Sequence, residues 1–120
     1  MKNLLCIFIG GGFGSVLRFL ISDYTQKFCR DTTFPVGTFV VNVLGCLLIG
    51  IFMAQLKMDQ HLKFLLITGF CGGFTTFSAL SAENVALWSN GNYLVLAVYS
   101  LSSVIIGFGA VYIGLKIGSN

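Results

Sequence analysis

Uncharged hydrogen-bond donors recur at helical spacing within the apolar stretches of this 120-residue sequence. Thr38 and Asn42 are four residues apart, and Tyr99 and Ser103 repeat that interval, so each pair lies on one face of a helix. Amide, hydroxyl and phenol groups donate hydrogen bonds without carrying a charge. Such groups are suited to replace the water around a small ion, although they can also serve only to bond one helix to another.

The acidic residues indicate the sign of such an ion. None lies in the middle of an apolar stretch, and Glu83 stands towards the end of the third one. A carrier of cations or protons normally keeps an acidic group at depth, because a buried cation needs a partner. Aromatic side chains such as Phe77 add ring edges of partial positive charge. The pattern therefore favours an anion.

The elements that position these groups are transmembrane helices. Hydrophobic residues make up 56% of the chain and charged residues 9%, where a soluble domain has about 25% charged residues. A helix needs about 20 mostly apolar residues to cross a bilayer core of roughly 30 Å. We expect an all-α membrane protein whose residues 1–120 form one transmembrane domain, with helices at about 4–24, 35–57, 62–89 and 93–117. Pro35 favours the start of the second helix, with Thr32 and Thr33 as caps.

The basic residues inform orientation more than they identify a partner. They are scattered along the chain, which argues against nucleic acid. The side that holds both termini carries slightly more of them, so the positive-inside rule leaves insertion in both orientations open. Four helices of this length cannot both bury one another and surround a pathway, and a transport role therefore implies more than one chain. The basic residues on the side of the termini are Lys2, Lys57, Lys63 and Lys116, and those towards the other side are Lys27, Arg30 and the helix-embedded Arg18.

The middle of the third span is expected to be broken. Gly72 and Gly73 are followed closely by Thr75 and Thr76, and paired glycines weaken a helix interior. A break in lipid is tolerated only where the backbone is buried in protein or lines a cavity or ion site. The alternative is a close helix contact through the GxxxG pair Gly69 and Gly73, of the kind also expected at residues 10–14.

The sequence shows no catalytic or metal-binding constellation. His61 lies in a polar connector, and we interpret it as a solvated loop residue rather than part of an active site. The chain is therefore not expected to be an enzyme. The cysteines lack CxxC or Cys/His clustering and are interpreted as small hydrophobic residues: Cys6, Cys29, Cys46 and Cys71.

Three motifs closely resemble those of the Fluc (CrcB) family of fluoride channels. Residues 69–78 read Gly-Phe-Cys-Gly-Gly-Phe-Thr-Thr-Phe-Ser, residues 10–18 read Gly-Gly-Gly-Phe-Gly-Ser-Val-Leu-Arg, and residues 37–42 read Gly-Thr-Phe-Val-Val-Asn. The resemblance covers all four spans in order and spacing. It implies a fluoride-selective channel in the cell membrane that exports fluoride from the cytoplasm by passive permeation and so lowers its toxicity.

The resemblance also implies an assembly and a set of site residues. The expected assembly is an antiparallel dual-topology dimer in membrane lipid, with two fluoride pathways. A structural sodium ion is expected where the two broken helices cross, held in each subunit by the backbone carbonyls of Gly72 and Thr75. By the same matching, Glu83 lies near a vestibule and Arg18 near an interfacial end. The residues expected to line the pathways are Thr38, Asn42, Phe77, Ser78, Leu80, Tyr99 and Ser103.

Leu80 departs from the family pattern, which continues Phe-Ser-Thr-Phe where this chain has Phe-Ser-Ala-Leu at residues 77–80. It replaces the second phenylalanine of the pair that flanks fluoride, and leucine has no positive ring edge. The chain then conducts as a homodimer with an incomplete aromatic box, or it forms a heterodimer with a homologous subunit that supplies the ring.

Two further alternatives come from other classes of protein. One is a four-helix transporter of the small multidrug resistance type, although that family relies on an acidic residue deep in the first helix and this chain has none there. The other is a non-conducting partner or accessory subunit that packs through its glycine faces. Measurements of fluoride flux and of proton-coupled cation exchange distinguish these alternatives.

Overall fold

Four helical spans account for nearly all residues that the computed structural model describes, which are 1–55, 57 and 59–119. Each is long and apolar enough to cross a membrane, and no strand occurs among these residues. The third span runs from Gln60 to Ser89 and consists of several pieces. In chain order the elements are α1 (Lys2–Phe28), α2 (Val36–Met53), α3 (Gln60–Lys63), a π-helical segment (Phe64–Cys71), α4 (Gly72–Phe74), α5 (Phe77–Ser89) and α6 (Tyr93–Ser119).

The spans alternate in direction, so the beginning of α1 and the end of α6 lie at one end of the bundle. There the Oδ1 atom of Asn3 lies 3.0 Å from Nδ1 of His61, and Nε2 of Gln55 donates to the Gly118 carbonyl at 2.8 Å. His61 is exposed as predicted, but it lies in the helical turn α3 rather than in a loop. The opposite end holds the connector of residues 29–35 and the turn at Gly91, whose φ of 76° favours glycine.

Glycines allow α1 to pack directly on the backbone of the third span. Gly10 and Gly14 are buried, and a Cβ atom at Gly14 would overlap the carbonyl oxygen of Phe70. From the other side, a Cβ atom at Gly73 would lie 2.5 Å from the Gly11 carbonyl oxygen. The two backbones therefore approach too closely for side chains between them, which confirms the predicted packing role of the glycines at residues 10–14.

Few side chains are fully buried within the single chain. The largest are Tyr99, Phe74, Val41 and Cys71. Large apolar side chains instead cover the outer surface; Phe8, for example, is 79% exposed. Such a surface is suited to contact lipid tails or another chain rather than water.

The third span is interrupted at Thr75 and Thr76, which we term the break. Thr75 has φ −85° and ψ 154°, and Thr76 has φ −150° and ψ 123°, both extended conformations. Gly72 remains helical, with φ −63° and ψ −36°. The predicted break near the middle of the third span is therefore confirmed, but it falls on the threonines rather than on the glycines before them.

The segment before the break is wider than an α-helix, which the sequence did not indicate. The N–H group of Gly72 bonds to the carbonyl of Ile67, five residues earlier, as well as to that of Gly69. Bonds of this spacing define π-helical turns, which are rare and occur frequently at functional sites. The widened segment lies against α1 and is joined to the break by the short helix α4.

Candidate functional site

Asn42 forms hydrogen bonds with the backbone N–H and carbonyl of Thr76, which lies in the break. Its Oδ1 atom accepts a hydrogen bond from the Thr76 N–H at 2.9 Å, and its Nδ2 donates to the Thr76 carbonyl at 3.2 Å. In a bilayer these backbone groups have no water to bond, so the side chain from α2 stabilises the open conformation. An amide nitrogen carries two hydrogens, and one of them remains beyond these two bonds.

The carbonyls of Gly72 and Thr75 lose their helical donors at the break. In a continuous α-helix the Gly72 carbonyl would accept from the Thr76 N–H, which here bonds to Asn42. The Thr75 carbonyl would accept from the Ala79 N–H, which here bonds at 3.1 Å to the hydroxyl of Thr76, the cap of α5. The carbonyls of Gly72 and Thr75 are thereby released from these two bonds of the helical ladder.

Arg18 reaches the break from α1. Its Nε donates at 3.0 Å to the carbonyl of Gly73, which in a continuous helix would accept from the Phe77 N–H. The guanidinium therefore places a positive charge beside the opened backbone. The family resemblance implied a position near an interfacial end, whereas α1 continues past Arg18 as far as Phe28 and the side chain contacts the middle of the third span.

Replacing Arg18 by methionine is expected to lower the free energy of unfolding by about 1–3 kcal/mol, because the Gly73 carbonyl is left without its donor. Equilibrium unfolding in mixed detergent micelles measures the change. Arg30→Met, at an exposed position in the connector, is the matched control and should stay within about 0.5 kcal/mol of the unsubstituted protein. Equal stability of both variants would show that the bond does not support the break.

A second polar cluster joins three spans around Glu83. The Thr38 hydroxyl donates to Oε2 of Glu83 at 2.9 Å, and the Tyr99 hydroxyl donates to Oε1 at 3.0 Å. Tyr99 is fully buried and Thr38 is 6% exposed. Both hydroxyls therefore donate to the carboxylate in this conformation, and neither has a second hydrogen to offer an ion.

Three cavities open beside these groups. The break cleft, of about 320 Å³, lies between α2, the break and α6. The arginine cavity, of about 290 Å³, includes Arg18 and Thr76. The end cavity, of about 320 Å³, includes Glu83 and lies at the end of the bundle that holds residues 90–92. The break cleft is lined by Asn42, Cys46, Ile49, Thr75, Thr76, Phe77, Leu80, Ser103 and Val104.

The structure brings some of the sequence-predicted pathway residues together and separates others. Phe77 is 79% exposed, whereas the Ser103 hydroxyl oxygen is buried and has no hydrogen-bond partner among the described residues. Ser78 is exposed and its hydroxyl lies 3.1 Å from that of Thr76. The residues in the break cleft are Asn42, Phe77, Leu80 and Ser103, and those in the Glu83 cluster are Thr38 and Tyr99.

Sequence reasoning missed the structural roles of Thr76 and Gln26. A threonine directly before a helix is a recognised capping signal, which was available for Thr76. Gln26 gave no such signal because its partner lies in another helix: Oε1 of Gln26 in α1 accepts from the N–H of Gly37 in α2 at 3.3 Å. The predicted capping of α2 by Thr32 or Thr33 is wrong; α2 has Pro35 at its cap position and no capping bond from that side chain.

Comparisons with known proteins match nearly the whole chain to one family. The family described as CrcB-like protein, Camphor Resistance (CrcB), matches residues 5–115. The chain is similar to the fluoride-specific ion channel FluC of Flavobacterium psychrophilum, with 47% identity over 98% of this chain and 97% of that protein. It is similarly related to the proteins of that name from Azobacteroides pseudotrichonymphae (48% identity, 95% and 94% coverage) and Phocaeicola vulgatus (46% identity, 96% and 97% coverage). The chain is thus a multi-pass membrane protein and belongs to the CrcB family.

Proposed function

We propose that this chain is a subunit of a fluoride channel that exports fluoride from the cytoplasm by passive permeation. The observation that carries the proposal is the break cleft, in which Asn42 and Ser103 meet an opened backbone in the middle of a membrane span. The relatives named as fluoride-specific ion channels support the identity of the ion. The family is one of channels, so the chain is not an enzyme.

The break cleft offers a small anion neutral donors in place of water. The second hydrogen of the Asn42 amide and the hydroxyl of Ser103 are suited to bond fluoride. Phe77 adds a ring whose edge carries partial positive charge. Fluoride is small and tightly hydrated, so closely spaced donors must replace its water. The apolar side chains of Ile49 and Val104 would narrow the cleft against larger anions.

A second copy of the chain would close the break cleft. The cleft opens on the surface of the single chain, and Phe77 at its edge is 79% exposed. Val85 and Trp88 of α5 are also 65% and 63% exposed, so this half-helix presents a face to a partner. We favour an antiparallel, dual-topology dimer, because the weak bias of the basic residues permits both orientations.

A structural sodium ion would join the two subunits at their breaks. Carbonyl oxygens suit a hard cation, and those of Gly72 and Thr75 have lost the helical donors that would otherwise engage them. Among the described residues no group of three His, Cys, Asp or Glu side chains could hold a metal, which leaves backbone oxygen as the fitting ligand. The ion would supply charge balance and cohesion where two sets of carbonyls meet.

Passive flow is sufficient for export. Hydrogen fluoride crosses lipid as a neutral weak acid and dissociates inside the cell. A negative-inside potential then drives the anion outwards with about 2.3 kcal/mol per charge for each 100 mV. The channel therefore needs only a selective path, which the break cleft would provide.

Fluoride-electrode recordings on liposomes that carry the purified chain test this function. We expect fluoride efflux from loaded vesicles and no comparable chloride efflux. Equal chloride efflux would contradict selectivity, and proton-coupled cation exchange without fluoride efflux would indicate a multidrug-type transporter. A chain that is silent alone but conducts with a homologous subunit would support the heterodimer.

Leu80→Phe is expected to raise fluoride efflux severalfold when the chain is reconstituted alone. Leu80 lies in the break cleft with Phe77, and the substitution adds a second ring edge of partial positive charge to its wall. The same electrode assay measures the effect. Leu44→Phe, on α2 at a position that is 40% exposed and lines none of the three cavities, is the control for added ring volume. Equal efflux from the unsubstituted chain and Leu80→Phe would show that the missing ring does not limit conduction.

A further inference from the structure

Gln26 lies where two of the cavities adjoin. It is the one described residue that lines both the arginine cavity and the end cavity. Thr38 lines the first and Glu83 the second, and the hydrogen bond between them lies at the same boundary. The end cavity opens beside Asn90 and Asn92. A path from this end of the bundle to the break through these two cavities would pass the Gln26 side chain.

The amide of Gln26 has a defined orientation. A backbone N–H can bond only to the amide oxygen, so the 3.3 Å contact with Gly37 assigns Oε1 to α2 and leaves the NH₂ group for the cavities. Gly37 is held close to α1, since a Cβ atom there would lie 2.6 Å from the Ser22 carbonyl oxygen. This close packing keeps the start of α2 within reach of Gln26.

The charges around Gln26 leave its NH₂ group available to an anion. Of the two carboxylates that line these cavities, Asp23 pairs with Lys27 at 3.1 Å. The other, Glu83, already accepts two O–H bonds, as described above. Beyond Gln26 the arginine cavity contains Arg18, whose positive charge attracts an anion onwards.

We propose that Gln26 donates hydrogen bonds to fluoride as the ion passes from the end cavity to the arginine cavity. The inference rests on the proposed channel function and assigns to this residue a step outside the break cleft. A neutral amide suits such a step, because it replaces part of the water shell without holding the anion as a full positive charge would. The same side chain fixes the start of α2, so its two ends have separate roles.

The variant Gln26→Glu separates the donor role from the capping role. Glutamate keeps an oxygen for the Gly37 N–H, and its charge is favourable at the start of α2 but unfavourable in the last turn of α1, where residue 26 lies. A residue that only caps α2 would therefore leave stability nearly unchanged in this variant. The donor role predicts a folded protein whose fluoride efflux is about tenfold lower, because the NH₂ group is lost and a like charge faces the ion; this factor corresponds to about 1.4 kcal/mol.

Two further variants complete the experiment. Arg30→Gln changes the net charge by the same amount at the same end of the bundle and lines neither cavity, so it should conduct like the unsubstituted chain. Gln26→Lys retains N–H donors and lacks the capping oxygen, and it should be less stable yet conduct faster than Gln26→Glu. Equal efflux from Gln26→Glu and the unsubstituted chain, or efflux from Gln26→Lys as low as that from Gln26→Glu, would overturn the role of Gln26 while the channel function stands. Absence of fluoride efflux from the unsubstituted chain, both alone and together with a homologous subunit, would overturn the channel function itself.

Discussion

Vesicles that carry Asn42→Asp are expected to lose fluoride efflux by more than about a hundredfold, equivalent to roughly 3 kcal/mol in the barrier. In the unsubstituted chain Nδ2 of Asn42 donates to the Thr76 carbonyl at 3.2 Å. Aspartate keeps an acceptor for the Thr76 N–H, but its second oxygen replaces this donor and repels the carbonyl oxygen. It also places a negative charge in the break cleft, where the anion would pass. Electrode recordings at equal protein-to-lipid ratio measure the loss.

Two variants control for the general effects of this substitution. Asn3→Asp makes the same change at the exposed end beside His61 and should retain efflux. Asn42→Ala removes the donor without adding charge and should conduct at an intermediate rate. Size-exclusion chromatography in detergent verifies that each variant folds. Undiminished efflux from folded Asn42→Asp would remove Asn42 from the mechanism.

The substitution Gly14→Ala is expected to destabilise the fold strongly, lowering the free energy of unfolding by about 3 kcal/mol. The added methyl group would overlap the Phe70 carbonyl oxygen and lie 2.9 Å from the Phe74 nitrogen. Both are backbone atoms that cannot rotate away, so α1 must separate from the third span. Unfolding of the purified protein in mixed micelles, followed by circular dichroism, measures the change.

Gly12→Ala is the matched control on the same helix. A Cβ atom at Gly12 would have no other atom within 4 Å, and alanine is about 1 kcal/mol better than glycine in a helix interior. This variant should be as stable as the unsubstituted protein or more stable. If Gly12→Ala and Gly14→Ala lost the same stability, the close approach of the two backbones could not be the cause.

The four spans could be predicted from the sequence because length and apolar content alone decide whether a helix crosses a bilayer. The residues at which the helices end were harder to predict. α1 continues to Phe28, beyond the expected end near residue 24, and its last turns include an ion pair of 3.1 Å between Asp23 and Lys27. In the sequence these charged residues indicated a connector between helices. In the structure they lie four residues apart on α1, where oppositely charged side chains stabilise a helix.

The position of the break shows what local sequence cannot provide. Glycine has a lower helix propensity than threonine, yet Gly73 stays helical and packs against α1. The chain opens instead at Thr76, whose backbone is held by Asn42 from another span. A partner 34 residues away in the chain is a property of the packed bundle, so the sequence indicated the region of the break but not its residues.

The sequence predicted that the polar residues of α2, and likewise those of α6, share one helix face. It did not predict the residues to which they bond. Thr38 and Tyr99 bond to Glu83, which lies on α5, a helix that begins anew after the break. Spacing within one helix cannot show which residue of another helix its side chains will meet. For the same reason the location of Ser103 and Leu80 in one cleft became visible only in three dimensions.

The chain supplies, from its own side chains, partners for the backbone that the third span leaves open: Asn42 for Thr76 and Arg18 for Gly73. A single chain can therefore complete its fold in the lipid without a second copy. For the proposed dimer this means that two preformed subunits would meet by diffusion in the plane of the membrane, and the yield of dimer should depend on the density of subunits in the bilayer rather than on folding at the moment of contact.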